Sequence, residues 1–235
     1  MVIIYGRADS EKQLLDLYPK QVKKIEDIDL VHQKLKAELN AEGDGFLAGF
    51  RKWRKKRQIS KFEENKNDTF HAGASGELLA LRKLSELSND FHVMCGVNAV
   101  LPYFVTYRGK KNLGSAQLDF IVISKKGIIL IEVKNWSTQF YEQHDKISPH
   151  EQVDRAGRVL WIVIKSRWGW LKKEYPRVTS VLVSIQGNMK YDLNYKFVNV
   201  LDLDRINYFI ENRKDELSEK EVKKLVNILK KHVTK

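Results

Sequence analysis

Two carboxylates and an ammonium, Asp119, Glu132 and Lys134, stand in a stretch of otherwise apolar, strand-like sequence. Alternate side chains of a strand share a face, so Glu132 and Lys134 project together, about 7 Å apart along the backbone, with Ile129, Ile131 and Val133 on the opposite face. Two β-rich runs flank Lys125-Lys126-Gly127, which is a hairpin signal. With Lys125 and Lys126 as the loop, Asp119 lies opposite Glu132, with Cβ atoms about 5 Å apart and one cation within reach of both carboxylates. Moving the loop by one residue at each end keeps all three residues on one face. A three-residue loop breaks the arrangement unless a bulge restores it. Unpaired buried charges are expensive, so the cluster needs a partner or solvent. Two readings stay open on spacing alone. One is a Mg²⁺ site in which oxygen ligands hold the metal and the lysine orients or polarises the attacking water. The other is a solvated face with a plain carboxylate-to-lysine cross-strand pair.

A further carboxylate, Glu77, follows Gly73 and Gly76 at the expected start of a helix over residues 74–87. At about 100° per residue it sits among Ala80, Leu81 and Leu84, in the middle of the apolar arc. Such a group is paired with a buried base or ligates a metal. The competing reading is a glutamate near a helix N-terminus that reaches solvent.

These residues must be positioned by the elements around them. Strand-like runs are expected at residues 91–97, 100–107, 117–124 and 128–134, with a turn over 108–114. Ser148-Pro149-His150-Glu151 combines an N-cap serine, a proline at the first helical position and a glutamate three residues after the cap, which predicts a helix to about Trp168. The β-branched run 178–185 suits a strand buried on both faces, and 197–203 reads as another. Asp204 and Ser218 are expected to cap two closing helices, the second with Val222, Leu225, Val226 and Leu229 on one stripe. Upstream, Val22, Ile25, Ile28 or Leu30, Val31, Leu35 and Leu39 recur at helical spacing, predicting a helix over 20–39. Residues 63–68 read as a linker. The expected organisation is a basic, mainly helical extension over 1–66, a core over 67–190, and a strand and helices over 191–235 that complete it.

Four short motifs in order, Gly73-Ala74-Ser75-Gly76-Glu77, Gln117-Leu118-Asp119, Glu132-Val133-Lys134-Asn135 and Pro149-His150-Glu151-Gln152, resemble those of the nuclease-related domain called NERD. That domain is grouped with the PD-(D/E)XK, restriction-endonuclease-like nucleases. The resemblance covers about residues 70–187 and leaves 1–65 unexplained. It implies an α/β fold, a mixed β-sheet flanked by helices, here with an N-terminal helical extension. It also implies Mg²⁺-dependent (or Mn²⁺-dependent) phosphodiester cleavage at the sheet's edge. By the same resemblance Asp119, Glu132 and the backbone carbonyl of Val133 would be metal ligands, and Lys134 the water-activating cation. Glu77 would be an additional ligand or orienter, and Gln152 would hydrogen-bond across the site. Leu118 stands where many members of the wider superfamily have proline, a position that mainly shapes the backbone.

Composition bounds the partners. The 235 residues carry 42 Lys and Arg against 30 Asp and Glu, a formal net charge of +12 that points to a polyanion. With 43% hydrophobic residues the chain has material for a real core, and no run approaches the roughly 18 apolar residues of a membrane span. Cys95 is the single cysteine, which excludes an internal disulfide and a cysteine-based zinc site, and a reducing cytoplasm is the expected location. The densest basic segment, Arg51, Lys52, Trp53, Arg54, Lys55, Lys56 and Arg57, running on to Lys61 and Phe62, combines phosphate-neutralising cations with aromatics able to stack on bases. Its alternative is a solvated helix face with Trp53 anchored in the core. Asn135 and Trp136 follow the Lys134 strand and are candidates for substrate contact, Trp136 equally for packing. His71, His92, His144 and His150 have no metal-ligand spacing, and Trp161, Trp168 and Trp170 read as packing. The leading function is a metal-dependent deoxyribonuclease without strong sequence specificity, endo- or exonucleolytic. The alternative is a catalytically silent nucleic-acid-binding module or a component of a defence or mobile-element complex. The stripe over 20–39 is a candidate surface for a second copy or a protein partner.

Overall fold

Two β-hairpins in succession build the antiparallel part of a six-stranded sheet. The computed structural model describes residues 1–7, 14–24, 27–43, 46–65, 69–137, 148–168, 174–187 and 189–233. In chain order the elements are β1 (Ile3–Tyr5), α1 (Asp27–Asn40), α2 (Phe46–Asn65), α3 (Thr69–Leu84), β2 (His92–Tyr107), β3 (Lys110–Ser124), β4 (Gly127–Lys134), α4 (Pro149–Trp168), β5 (Val178–Ser184), β6 (Val198–Asp202), α5 (Ile206–Glu211) and α6 (Glu219–Leu229). The six strands form one sheet in the order β1-β2-β3-β4-β5-β6. β1 pairs parallel to β2, β2 to β4 are antiparallel, and β4 to β6 are parallel. A parallel neighbour cannot be reached through a tight turn, and α4 supplies the crossover from β4 to β5. This is the α/β fold with a mixed, helix-flanked sheet that the sequence predicts.

The loop between β3 and β4 is Lys125-Lys126, with Ser124 opposite Gly127 and Phe120 opposite Ile131. Gly127 holds φ at +109°, a conformation that a side chain would resist. This loop selects the register in which Asp119 and Glu132 face the same side.

The alternation of the central strands divides the core. Phe120, Val122, Ile129, Ile131, Val133, Val181 and Val183 pack against Ala80 and Leu84 of α3 and Ile206 and Ile210 of α5. Ile121, Ile123, Ile128 and Leu130 pack against Val159, Leu160, Val163 and Ile164 of α4 and the Val222, Leu225, Val226 and Leu229 stripe of α6. Ser148 caps α4 by accepting from Glu151 N–H at 3.1 Å. Ser218 and Glu221 form a reciprocal capping box on α6.

Several local expectations change. α1 starts at Asp27 because the chain before it is spent on turns: Val22 N–H donates to Pro19 C=O at 2.9 Å, and Asp27 accepts from the N–H of Lys24 at 3.0 Å. Residues 92–107 form one strand, not two, with its register shifted between Val100 and Val105. Asp204 caps no helix, since it lies inside the 3-10 turn Leu203–Arg205 that leads into α5. Glu63 belongs to the last turns of α2, whereas Ile25, 66–68, His144 and Trp170 lie outside the described residues.

By its internal contacts the chain divides into two compact units, 10–75 and 1–9 with 76–235, the boundary falling within α3. The first has its own core, in which Ile28 and Leu35 of α1, Ile59 and Phe62 of α2, Leu14, Tyr18, Val22 and Ala74 are buried. Of the apolar stripe of α1, Ile28 and Leu35 are therefore covered within its own unit, Val31 and Leu39 partly so, and Leu30 is exposed. Phe62, an aromatic of the basic segment, is core as well, at 1% exposure.

Candidate active site

The carboxylate cluster forms where β3 outruns β4. Backbone pairing between these strands ends at Phe120 and Ile131, and the Asp119 side chain takes over as acceptor: its Oδ2 receives Val133 N–H at 2.8 Å. Glu132, on the same face as Leu130, is buried at 2% exposure. Lys134 Nζ donates to Glu132 Oε1 at 2.8 Å. The ammonium also lies 5.5 Å from the centre of the Trp136 ring. The site occupies the two central strands, β3 and β4, rather than an edge of the sheet.

Glu77 enters from α3. Gly73 and Gly76 do not start this helix but lie within it, so Glu77 is well past the N-terminus and is buried at 6% exposure. That removes the reading of a solvated glutamate near a helix end. Gly76 is needed for a close approach: a Cβ there would stand 2.9 Å from Asn135 Cβ, with Ile185 and Val133 also in contact. The missing side chain lets α3 settle on the end of β4, which brings the Glu77 charge near the cluster.

Electrostatics express this crowding. Asp119 keeps a little solvent contact, yet its carboxyl is surrounded by protein on most sides. Burial, then the negative charges of Glu132 and Glu77, push its pKa well above the ordinary carboxylate range, against the opposing pull of Lys134 and the Val133 N–H. For Lys134 burial disfavours the charge, but Glu132, Asp119 and Glu77 outweigh it and hold the pKa above the usual lysine value. The charges of all three carboxylates act on the Lys134 ammonium. Glu132 Oε2 is buried without a hydrogen-bond partner among the described residues. A buried, orphaned anionic oxygen beside surplus negative charge is what a second cation would relieve.

The donors present fit a hard divalent cation, since all are oxygens. Asp119 and Glu132 form the pair, with Glu77 behind them. Among the described residues, however, no three His, Cys, Asp or Glu side chains are gathered into a ready-made metal cage.

The other residues singled out by sequence separate into those near the cluster and those away from it. Asn135 is half-buried and its Oδ1 accepts from Gln186 Nε2 at 3.1 Å, a partner that no local motif announces. Trp136 packs on Val153, Leu182, Met189 and Val198 beside the site, so its packing role is real. Gln152 is exposed on α4 and makes no side-chain hydrogen bond among the described residues. His150 is core, its Nε2 on Lys190 C=O at 2.8 Å. Trp168 is buried and Trp161 half-buried. In the helical unit Lys55 turns inward to Glu42 at 2.7 Å and Glu38 at 3.5 Å, and Arg51 reaches Glu42 at 2.8 Å. Trp53, Arg54, Lys56 and Arg57 are exposed.

No helix among the described residues is long and apolar enough to cross a membrane. No curated protein and no solved structure matches the chain significantly. The family model of the nuclease-related domain, NERD, matches residues 72–185, a span that opens just before Glu77 on α3 and closes just past β5. It contains Glu77, Asp119, Glu132, Lys134 and Gln152, and over residues 72–185 this chain is accordingly similar to the nuclease-related (NERD) domain.

Proposed function

We propose that the protein is a metal-dependent nuclease that hydrolyses phosphodiester bonds in DNA without strong sequence specificity. The observation that carries this reading is the crowding of the carboxyls of Asp119, Glu132 and Glu77 around the Lys134 ammonium, inside a nuclease-related domain. A cluster of that sign repels a phosphate unless a divalent cation compensates it, and acidic residues serve a nuclease chiefly as metal ligands.

Asp119 and Glu132 would hold Mg²⁺ or Mn²⁺, with the Val133 carbonyl completing the protein's share and Glu77 orienting the set. When bound, the cation supplies Lewis-acid charge neutralisation for attack at phosphorus. Lys134 stays protonated, orients the nucleophilic water and faces the charge that develops on the phosphoryl oxygens. Val133 N–H fixes Asp119, and Trp136 packs beside the Lys134 ammonium and limits its swing. Gln152, on the outer side of α4, would act on bound substrate instead of on the carboxylates. The exposed cations of α2 would hold phosphates, and Asn135 would meet substrate past the end of β4.

Incubation with circular and linear DNA, with and without Mg²⁺ or Mn²⁺, tests this. Metal-dependent cutting is expected for the native chain, with Glu132→Ala lowering it by about 10²-fold or more. Circular substrate separates nicking from end-dependent degradation. A second reading, a nucleic-acid-binding module without turnover, draws on two observations: Lys134 already occupies one Glu132 oxygen, and no three-ligand cage is assembled among the described residues. Binding without cleavage across metals and substrates would favour it.

A further inference from the structure

Helix α2 presents two different stripes. Ala48, Lys55, Ile59 and Phe62 follow helical spacing on the side turned into the helical unit. On the opposite side lie Phe50, Trp53, Arg54, Arg57 and Lys61, spanning about 16 Å along the axis. Phe50 is 63% exposed and Trp53 55%. Their rings stack with centroids 5.9 Å apart and planes 28° from parallel. The Arg57 guanidinium lies 5.7 Å from the Trp53 ring centre. Together with Pro19, Arg54, Gln58 and Lys61 they line an open cleft of about 420 Å³.

Large exposed aromatics cost free energy in water, and a helix can hide them by turning them inward, as this one does with Phe62. Phe50 and Trp53 stay outside, beside one another, in the most basic segment of the chain. The Phe50 ring matters to this argument because a lone tryptophan is an isolated surface residue, whereas two adjacent rings form a platform. Exposed rings accept the flat faces of unpaired bases, and flanking cations accept the phosphates between them. In a duplex the base faces are already stacked on their neighbours and only the phosphates remain available.

We infer that the Phe50–Trp53 platform with Arg54, Arg57 and Lys61 is a binding site for single-stranded nucleic acid, which makes unpaired strands the preferred substrate of the proposed nuclease. The inference rests on that reading only for the class of ligand. The site lies outside residues 72–185, so it belongs to this chain's helical unit and not to the nuclease-related domain.

Anisotropy of labelled dT20, U20, dT20·dA20 duplex and an abasic 20-mer, measured in EDTA so that no cleavage intervenes, tests the site. The native chain should bind dT20 and U20 more tightly than duplex at matched salt. Trp53→Leu and Phe50→Leu keep apolar surface but remove the ring, and each should weaken single-strand binding by about tenfold while leaving duplex binding unchanged. Trp53→Phe should retain most of the affinity. Abasic strands, which keep every phosphate, should bind the native chain no better than dT20 binds Trp53→Leu.

Equal binding of single strands and duplex by the native chain, or unchanged dT20 binding by both leucine variants, overturns the inference. So does a sedimentation result in which the native chain self-associates, Trp53→Leu is monomeric and nucleic-acid affinity is the same for both, because the platform is then a contact between copies. Should a leucine variant fail to fold, the native chain's dT20-to-abasic ratio decides. Glu132→Gln should lose cleavage while keeping the single-strand preference, so failure of the nuclease reading and failure of the platform are distinguishable.

Discussion

Each unit of the molecule contains a carboxylate–lysine pair of nearly the same length, Glu132–Lys134 at 2.8 Å in the sheet unit and Glu42–Lys55 at 2.7 Å in the helical unit. Their surroundings are opposite. Glu42 lies among cations, and the Lys55 hydrogen bond, with the charges of Lys55, Arg51 and Lys52, lowers its pKa. Lys134 lies among anions, and Asp119 beside it is pushed the other way by burial, Glu132 and Glu77. The contact itself is therefore uninformative. What separates a stabilising pair from a candidate catalytic one is the charge left over after pairing, positive around Glu42 and negative around Lys134.

The largest effect expected from this contrast is on stability. Lys134→Met removes the Lys134 ammonium from a buried acidic cluster and should destabilise the metal-free chain by about 3–5 kcal/mol in urea unfolding. Lys55→Met, which leaves Arg51 beside Glu42 at a solvent-screened site, should cost far less than Lys134→Met. Equal losses would break the comparison. Next, Mg²⁺ should raise the unfolding midpoint of the native chain by the amount its binding energy dictates, about 2.7 kcal/mol at a hundredfold excess over the dissociation constant. The double variant Asp119→Asn, Glu132→Gln should not respond, and differential scanning fluorimetry reads both.

Gly76→Ala should cost about 1–3 kcal/mol by chemical denaturation, because the new Cβ forces α3 off the end of β4. Metal-dependent activity should fall further than stability, since Glu77 moves with the helix. The smallest effect is the pH dependence of Glu42→Gln. A carboxyl whose folded pKa is lowered contributes stability above its unfolded pKa and loses it as pH falls through the folded value. The native-minus-variant difference in melting temperature should thus be fully present near neutral pH and close on acidification. A difference that grew in acid would contradict the charge assignment of the helical unit.

Much of the site was legible because strand periodicity and turn length act locally. Lys125-Lys126 as a two-residue loop sets the register, and register sets which side Asp119, Glu132 and Lys134 share. The caps at Ser148 and Ser218 were equally readable, since a cap is a contact between near neighbours. Reading failed where distant segments decide. Gly73 and Gly76 look like a helix start by composition, yet tertiary packing carries α3 through both and uses Gly76 for an approach to Asn135, which lies far along the chain. Turns before Asp27 delay α1 although Val22 keeps helical spacing and is buried all the same.

By itself the sequence determined the alternation of the central strands, a hairpin around Lys125-Lys126-Gly127 and the face that Asp119, Glu132 and Lys134 share in its two-residue registers, because these depend on neighbours within a few positions; the strand pairing then chose Lys125-Lys126 as the loop. Only the tertiary structure decided that Glu77 adds its charge to Asp119, that Glu132 Oε2 is left without a hydrogen-bond partner among the described residues, and that Phe50 joins Trp53 on the surface while Phe62 goes to the core. Burial and net local charge are sums over neighbours drawn from the whole chain, and no local pattern contains them.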